Sequence, residues 1–110
     1  MKLTLTNNAL ARHGSYAGYY KFSSVVNRQA SFKRGGYAIW FEDAYWNIGD
    51  IGDHGSDRCV IYSKNNFGGL DDSRNNWIYD DEVEWKTAGS NDVNIQCIFD
   101  SKWCLSNILT

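Results

Sequence analysis

The densest mixture of polar and aromatic side chains in the sequence lies between residues 68 and 79. Its hydrogen-bonding and ring-bearing members are Asp71, Asp72, Arg74, Trp77 and Tyr79. Carboxylate and guanidinium groups bind hydroxyls, and an aromatic ring stacks on the apolar face of a sugar. The segment therefore predicts a glycan site, with Trp77 partly exposed as one wall of a shallow groove. Because Trp77 and Tyr79 alternate with Ile78, the other interpretation is that both are core residues.

A glycine-rich loop supplies a second candidate site. Its three carboxylates are Asp50, Asp53 and Asp57. Calcium takes several oxygen ligands, which flexible Asp-rich loops supply, and one interpretation is therefore a calcium site. The spacings differ from the alternate positions of an EF-hand, and the other interpretation is a solvated turn whose Asp side chains accept from backbone N–H groups. We expect no other cofactor.

Residue types that serve catalysis are few. The sequence has two histidines, His13 and His54, and neither lies in a recognised motif. Ser15 is one position too early for a nucleophile elbow, and no phosphate-binding loop or dinucleotide fingerprint is present. The acidic run at residues 80–84 contains carboxylates of the kind that glycosidases pair, but such a run is usually a solvated face. We therefore expect a protein without enzymatic activity, and a small hydrolase is the alternative.

Charge is distributed unevenly along the chain. Residues 1–41 hold six basic side chains and no acidic one, whereas residues 42–110 hold 13 acidic and five basic ones, giving +6 and −8. The net charge of −2 argues against a nucleic-acid binder, which needs an electropositive face. The two halves either pair within one sheet system or form opposed faces. Opposed faces would support a homo-oligomer or docking on a charged surface.

The sequence predicts that short strands hold these residues in place. The chain of 110 residues is the size of one domain, and its turn-forming residues are scattered between short aromatic and β-branched runs. Strands are predicted over residues 2–6, 16–22, 29–34, 36–42, 44–48, 58–63 and 93–99, with one helical turn over residues 9–13. The prediction is a single all-β domain, a compact antiparallel sandwich or barrel of seven to nine short strands with little helix.

Two further predictions follow from the strand pattern. In the strand over residues 36–42, Trp40 belongs to the mixed face and is a further candidate ligand-binding ring. A turn at residues 100–101 would place Cys97 opposite Cys104, so these cysteines either form a disulfide or are free thiols in the core.

No apolar run is long enough to span a membrane, and no signal peptide is visible.

The middle of the chain carries four short motifs in a fixed order. They are Gly18-Tyr19-Tyr20, the segment from Asn27 to Phe32, Ala38-Ile39-Trp40-Phe41 and Trp46-Asn47-Ile48-Gly49. This order resembles the G-x-Y, N-G-R-P-x-Y, I-Y-Y-like and W-x-I-G repeat pattern of eukaryotic extracellular and multidomain proteins. The resemblance implies a compact β domain used for adhesion or recognition, and it favours an extracellular location. Together with the residues above, it predicts a module that binds a glycan or a protein surface, with a self-associating structural protein as the alternative.

Overall fold

Short antiparallel strands dominate the chain. The computed structural model describes residues 1–63, 69–72 and 74–96. The described strands are β1 (Lys2–Leu5), β2 (Gly18–Tyr19), β3 (Lys21–Val26), β4 (Gln29–Arg34), β5 (Tyr37–Glu42), β6 (Tyr45–Asp50), β7 (Ile61–Ser63), β8 (Trp77–Asp80), β9 (Trp85–Thr87) and β10 (Val93–Gln96). The helical segments are α1 (Asn7–His13) and 3₁₀ turns at Gly14–Tyr16 and Ile51–Asp53. The predicted pairing of Cys97 with Cys104 lies outside the described residues.

The strands form two antiparallel sheets, and the prediction of an all-β fold with little helix is confirmed. The larger sheet has the order β3-β4-β5-β6-β7-β8-β9, and the smaller has the order β10-β1-β2. The larger sheet is therefore a meander, in which neighbours in the chain are neighbours in space. The prediction of one strand over residues 16–22 was wrong. Gly18, at φ 142°, begins β2 of the smaller sheet, and after Tyr20 the chain continues as β3 of the larger sheet.

Tight turns fix the register of the first hairpins. Asn27 and Arg28 join β3 to β4, and Asp43 and Ala44 join β5 to β6, with all four residues at positive φ. Positive φ at both central residues is the signature of a type I′ turn, whose twist matches that of the flanking strands. The predicted strands over residues 36–42 and 44–48 left one residue between them, whereas this turn takes up both Asp43 and Ala44.

The core lies between the two sheets. One face of the larger sheet, called here the inner face, buries Ile39 of β5 and Trp46 and Ile48 of β6. These side chains form one cluster with Leu3 of β1 and Ile95 of β10. Alternation along each strand sends the intervening residues to the opposite face, called here the outer face. The outer face carries the candidate site described below.

Candidate ligand-binding face

The aromatic residues of the predicted glycan segment lie in the core. Trp77 is only 6% exposed and Tyr79 is equally buried, and both belong to the inner-face cluster. They alternate on β8, which is held between β7 and β9, so their rings point toward the smaller sheet. The expectation of a partly exposed Trp77 was wrong, and the alternative interpretation as core residues describes both side chains.

The polar residues of that segment border a small pocket. Asp71, Asp72 and Trp77 line it together with residues of β10 and of the loop before it, and its volume is about 80 Å³. Ligand pockets usually measure about 300–1,000 Å³, so this one is too small to enclose a sugar. Arg74 is outside its lining and binds Asp72 through Nη2 at 2.8 Å and Nε at 3.0 Å. These bonds hold the pKa of Asp72 at about 2. Arg74 and Asp72 therefore form a local ion pair on the surface.

Trp40 is fully buried although it lies on the outer face. Its Nε1 donates to the Ser56 carbonyl oxygen at 2.8 Å, and the His54 ring meets it edge-on with centroids 5.8 Å apart. The loop of residues 51–57 therefore covers the indole and fixes its orientation. The prediction that Trp40 contacts a ligand is not supported by this position, because its ring has no accessible face.

The three predicted calcium ligands lie around the same loop. Asp50 accepts a hydrogen bond from the Tyr16 hydroxyl at 2.6 Å. Burial and this bond together raise the pKa of Tyr16. Across residues 1–63, 69–72 and 74–96, no group of three or more His, Cys, Asp or Glu side chains is arranged to hold a metal ion. Calcium binding by Asp50, Asp53 and Asp57 stays a prediction.

A serine and a histidine approach each other in a way that the sequence did not indicate. Ser31 Oγ lies 3.0 Å from His54 Nε2 and donates its own proton to the Ser24 carbonyl oxygen at 2.9 Å. The Ser24 hydroxyl oxygen also lies 3.1 Å from Ser31 Oγ, so the serine proton has several neighbouring acceptors, whereas a nucleophilic serine directs its proton to the general base. Ser31 is also fully buried. This pair is therefore a structural contact that anchors the covering loop.

Three aromatic side chains form a row on the outer face. Tyr45 of β6, Tyr62 of β7 and Trp85 of β9 lie with successive ring centroids 5.4 and 5.2 Å apart. Tyr45 is 37% exposed and Trp85 is 49% exposed, while Tyr62 between them is half-buried. We call these residues the aromatic row. Successive ring planes are inclined by 64° and 73°, so the row presents edges and faces in turn.

Strand register builds the row from distant parts of the sequence. Tyr45 precedes the inward Trp46, and Tyr62 follows the inward Ile61, so both point outward. Trp85 pairs with Asp80, which follows the inward Tyr79. Edge-to-face contacts contribute roughly 0.5–1.5 kcal/mol each beyond burial, which holds the rings in place before any ligand arrives. In the sequence, only the alternation of apolar Ile61 with Tyr62 indicated that one of these rings lies on the outer face.

Carboxylates stand at both ends of the row. Glu42 pairs with Tyr45 across the β5–β6 hairpin, and Asp80 pairs with Trp85 across the β8–β9 hairpin. Asn27 donates to Glu42 Oε2 at 2.6 Å and keeps that carboxylate beside the row. The ends of the row can therefore accept hydrogen bonds from hydroxyl groups, and they disfavour an anionic ligand.

Comparison with known proteins identifies no relative. No protein-family model, no curated protein and no solved structure matches the chain. The described part of the chain contains no helix long and apolar enough to cross a membrane.

Proposed function

We propose that the protein is a non-enzymatic recognition module that binds a glycan on its outer face. The observation that carries this proposal is the aromatic row, three contacting rings that remain accessible on one face of a sheet. Tyr and Trp are amphipathic, with an apolar ring and a polar tip, and they are the residue types that dominate recognition surfaces. Glu42 and Asp80 supply acceptors for sugar hydroxyls at the two ends.

The geometry also favours one kind of glycan. The inclined ring planes do not form a flat surface, so a soluble oligosaccharide that can fold around ring edges fits better than a crystalline polymer. The carboxylates at the ends of the row repel sulfate and carboxylate groups. We therefore favour a neutral or amino sugar chain over an acidic one.

The resemblance to extracellular repeat modules supports the same class of function. Its W-x-I-G motif, which includes the buried Trp46 and Ile48, lies on β6 directly after Tyr45. The motif residues build the strand that presents the first ring of the row. An extracellular setting, where glycans are abundant, is part of this proposal.

Glycan-array screening followed by calorimetry tests the proposal. Trp85→Ala and Tyr62→Ala should each weaken binding of the best neutral glycan at least tenfold, about 1.4 kcal/mol, as expected for loss of an aromatic anchor. Tyr19→Ala is the matched control, because Tyr19 is 62% exposed but lies on β2, outside the row. This variant should bind like the wild type.

Thermal unfolding of each variant separates lost binding from lost folding. A wild-type protein that binds no glycan on the array would overturn the proposal, and a protein surface would then be the expected ligand. Equal loss in Trp85→Ala and Tyr19→Ala would show that the row is not the site.

A further inference from the structure

The uneven charge of the chain persists in three dimensions. Because the larger sheet is a meander, its basic strands β3 and β4 lie at one edge and its acidic hairpin β8–β9 lies at the other. Among the described residues, Arg12 and Glu82 form the only ion pair that joins the two halves, at 3.7 Å and largely exposed. An exposed pair of this kind contributes little. Internal pairing, one of the two interpretations of the sequence, does not account for these charges.

The acidic edge ends in a rigid hairpin tip. Glu82, Val83 and Glu84, called here the acidic tip, join β8 to β9, and Val83 is 89% exposed. Asp80 Oδ1 accepts from the Glu82 N–H at 2.8 Å, and Asp81 Oδ1 accepts from the N–H groups of Val83 and Glu84 at 2.9 and 2.7 Å. These hydrogen bonds fix the backbone of the turn, so the Val83 side chain stays exposed to solvent between the two glutamates. Docking such a tip costs little conformational entropy.

The opposite edge gathers lysines. Lys21 and Lys33 are directly opposite each other on β3 and β4. We call these two lysines the basic corner. Neither has an ion-pair partner among the described residues. Like charges facing each other across strands are unfavourable, and a partner that brings carboxylates would relieve this repulsion.

We infer that the acidic tip of one copy of the chain docks on the basic corner of the next copy. The charges of the two surfaces are complementary: Glu84, together with Glu82 once it exchanges its weak exposed contact with Arg12, meets the lysine pair Lys21 and Lys33. The two surfaces differ and lie at opposite edges of one sheet. The contact is therefore heterologous, and it generates rings or open filaments of copies.

The contact is made by side chains and does not extend the sheet from copy to copy. β3 carries an irregularity between Phe22 and Ser24, and β9 is only three residues long. Bulges and very short edge strands oppose strand pairing between molecules. Because the charges are exposed, the association should weaken as salt shortens the screening length to about 8 Å at physiological ionic strength.

A charge-swap experiment tests this inference. The first variant, Glu82→Lys with Glu84→Lys, has a basic tip and a basic corner. The second variant, Lys21→Glu with Lys33→Glu, has an acidic tip and an acidic corner. Each variant alone should associate at least tenfold more weakly than the wild type in sedimentation velocity at about 20 mM salt. A 1:1 mixture should recover association, since every tip then meets a corner of opposite charge.

Three outcomes would overturn the inference. They are a wild-type protein that is monomeric at high concentration and low salt, single variants that associate like the wild type, and a mixture that stays monomeric while both variants unfold at wild-type temperatures. If the wild type were monomeric but bound a basic peptide through the acidic tip, the partner would be another protein and the inference of a second copy would be wrong. Glycan binding by the monomeric variants is measured separately, so neither proposal depends on the other.

Discussion

Replacing Gly49 with alanine should destabilise the fold, because this glycine lies against the buried Trp40. A Cβ at residue 49 would be 3.0 Å from Cη2 of Trp40 and 3.2 Å from Cα of Cys59. Carbon atoms in proteins pack best at about 3.5–4.0 Å, so both contacts would be too close. The indole cannot move away freely, because Nε1 is bonded to Ser56 and the ring is fully buried.

The expected magnitude follows from these contacts. Inserting a methyl group into a packed core usually destabilises the folded state by about 1–3 kcal/mol. Alanine also has less conformational entropy than glycine in the unfolded chain, which offsets this loss by about 0.4–1 kcal/mol. The net loss should be about 1–2 kcal/mol of unfolding free energy. For a domain of this size, each kcal/mol shifts the melting temperature by about 4–8 °C, so a decrease of about 5–15 °C is expected.

Thermal and urea unfolding followed by circular dichroism measure this loss. Gly52→Ala is the matched control, because Gly52 lies in the covering loop and a Cβ there meets nothing within 4 Å. The control should unfold at or slightly above the wild-type temperature. If Gly49→Ala is as stable as Gly52→Ala, the packing of Trp40 under the loop is wrong, and so is the explanation of its burial.

Three further predictions concern titratable groups. Hydrogen bonds from the backbone N–H groups of Glu84 and Val83, and from Lys86, lower the pKa of Asp81 to about 2. The ionised carboxylate therefore stabilises the folded state fully above the ordinary Asp pKa near 3.9, and this stabilisation is lost as pH falls toward 2. Asp81→Asn should therefore melt below the wild type at pH 7, and the difference should narrow steadily as pH falls from about 4 toward 2. Burial, and to a smaller extent the charge of Lys33, lowers the pKa of His54. Protonation of His54 is therefore less favourable in the folded than in the unfolded chain, and the folded protein loses stability as pH falls below about 6.5. An NMR titration should place the His54 midpoint below that value. Burial and nearby carboxylates raise the pKa of Cys59 to about 12, so peptide mapping after iodoacetamide treatment near pH 8 should show far slower alkylation in the folded than in the unfolded chain.

Local sequence signals predicted much of the fold. Strand β4 matches its predicted bounds, and β5 and β6 agree to within two residues, because alternating side chains and turn residues define a hairpin locally. The helical turn before Gly14 was also found, as α1. The division of residues 16–22 between two sheets was missed because it depends on pairing with β1, which is distant in sequence.

The candidate site was harder to predict, for a physical reason. Whether Trp77 or Trp85 is exposed depends on which face of the larger sheet the smaller sheet covers, and alternation alone does not decide this. Trp77 has polar sequence neighbours and is buried, while Trp85 follows an acidic run and is exposed. Trp40 is buried by a loop that comes later in the chain. The aromatic row is defined only once the register of β6 to β9 is known.

The two proposals concern neighbouring surfaces. The aromatic row lies on the outer face, and its Trp85 follows Glu84 of the acidic tip directly in the chain. Docking of the tip would therefore place the Trp85 end of one row beside the next copy. Linking several weak sites converts later binding events into intramolecular ones and can raise overall affinity by about 10²–10⁴-fold. A single row of three rings offers a small contact area for a glycan. Under both proposals, head-to-tail association would let repeated sugar units engage repeated rows, and the opposed charges of this chain would then contribute to glycan recognition.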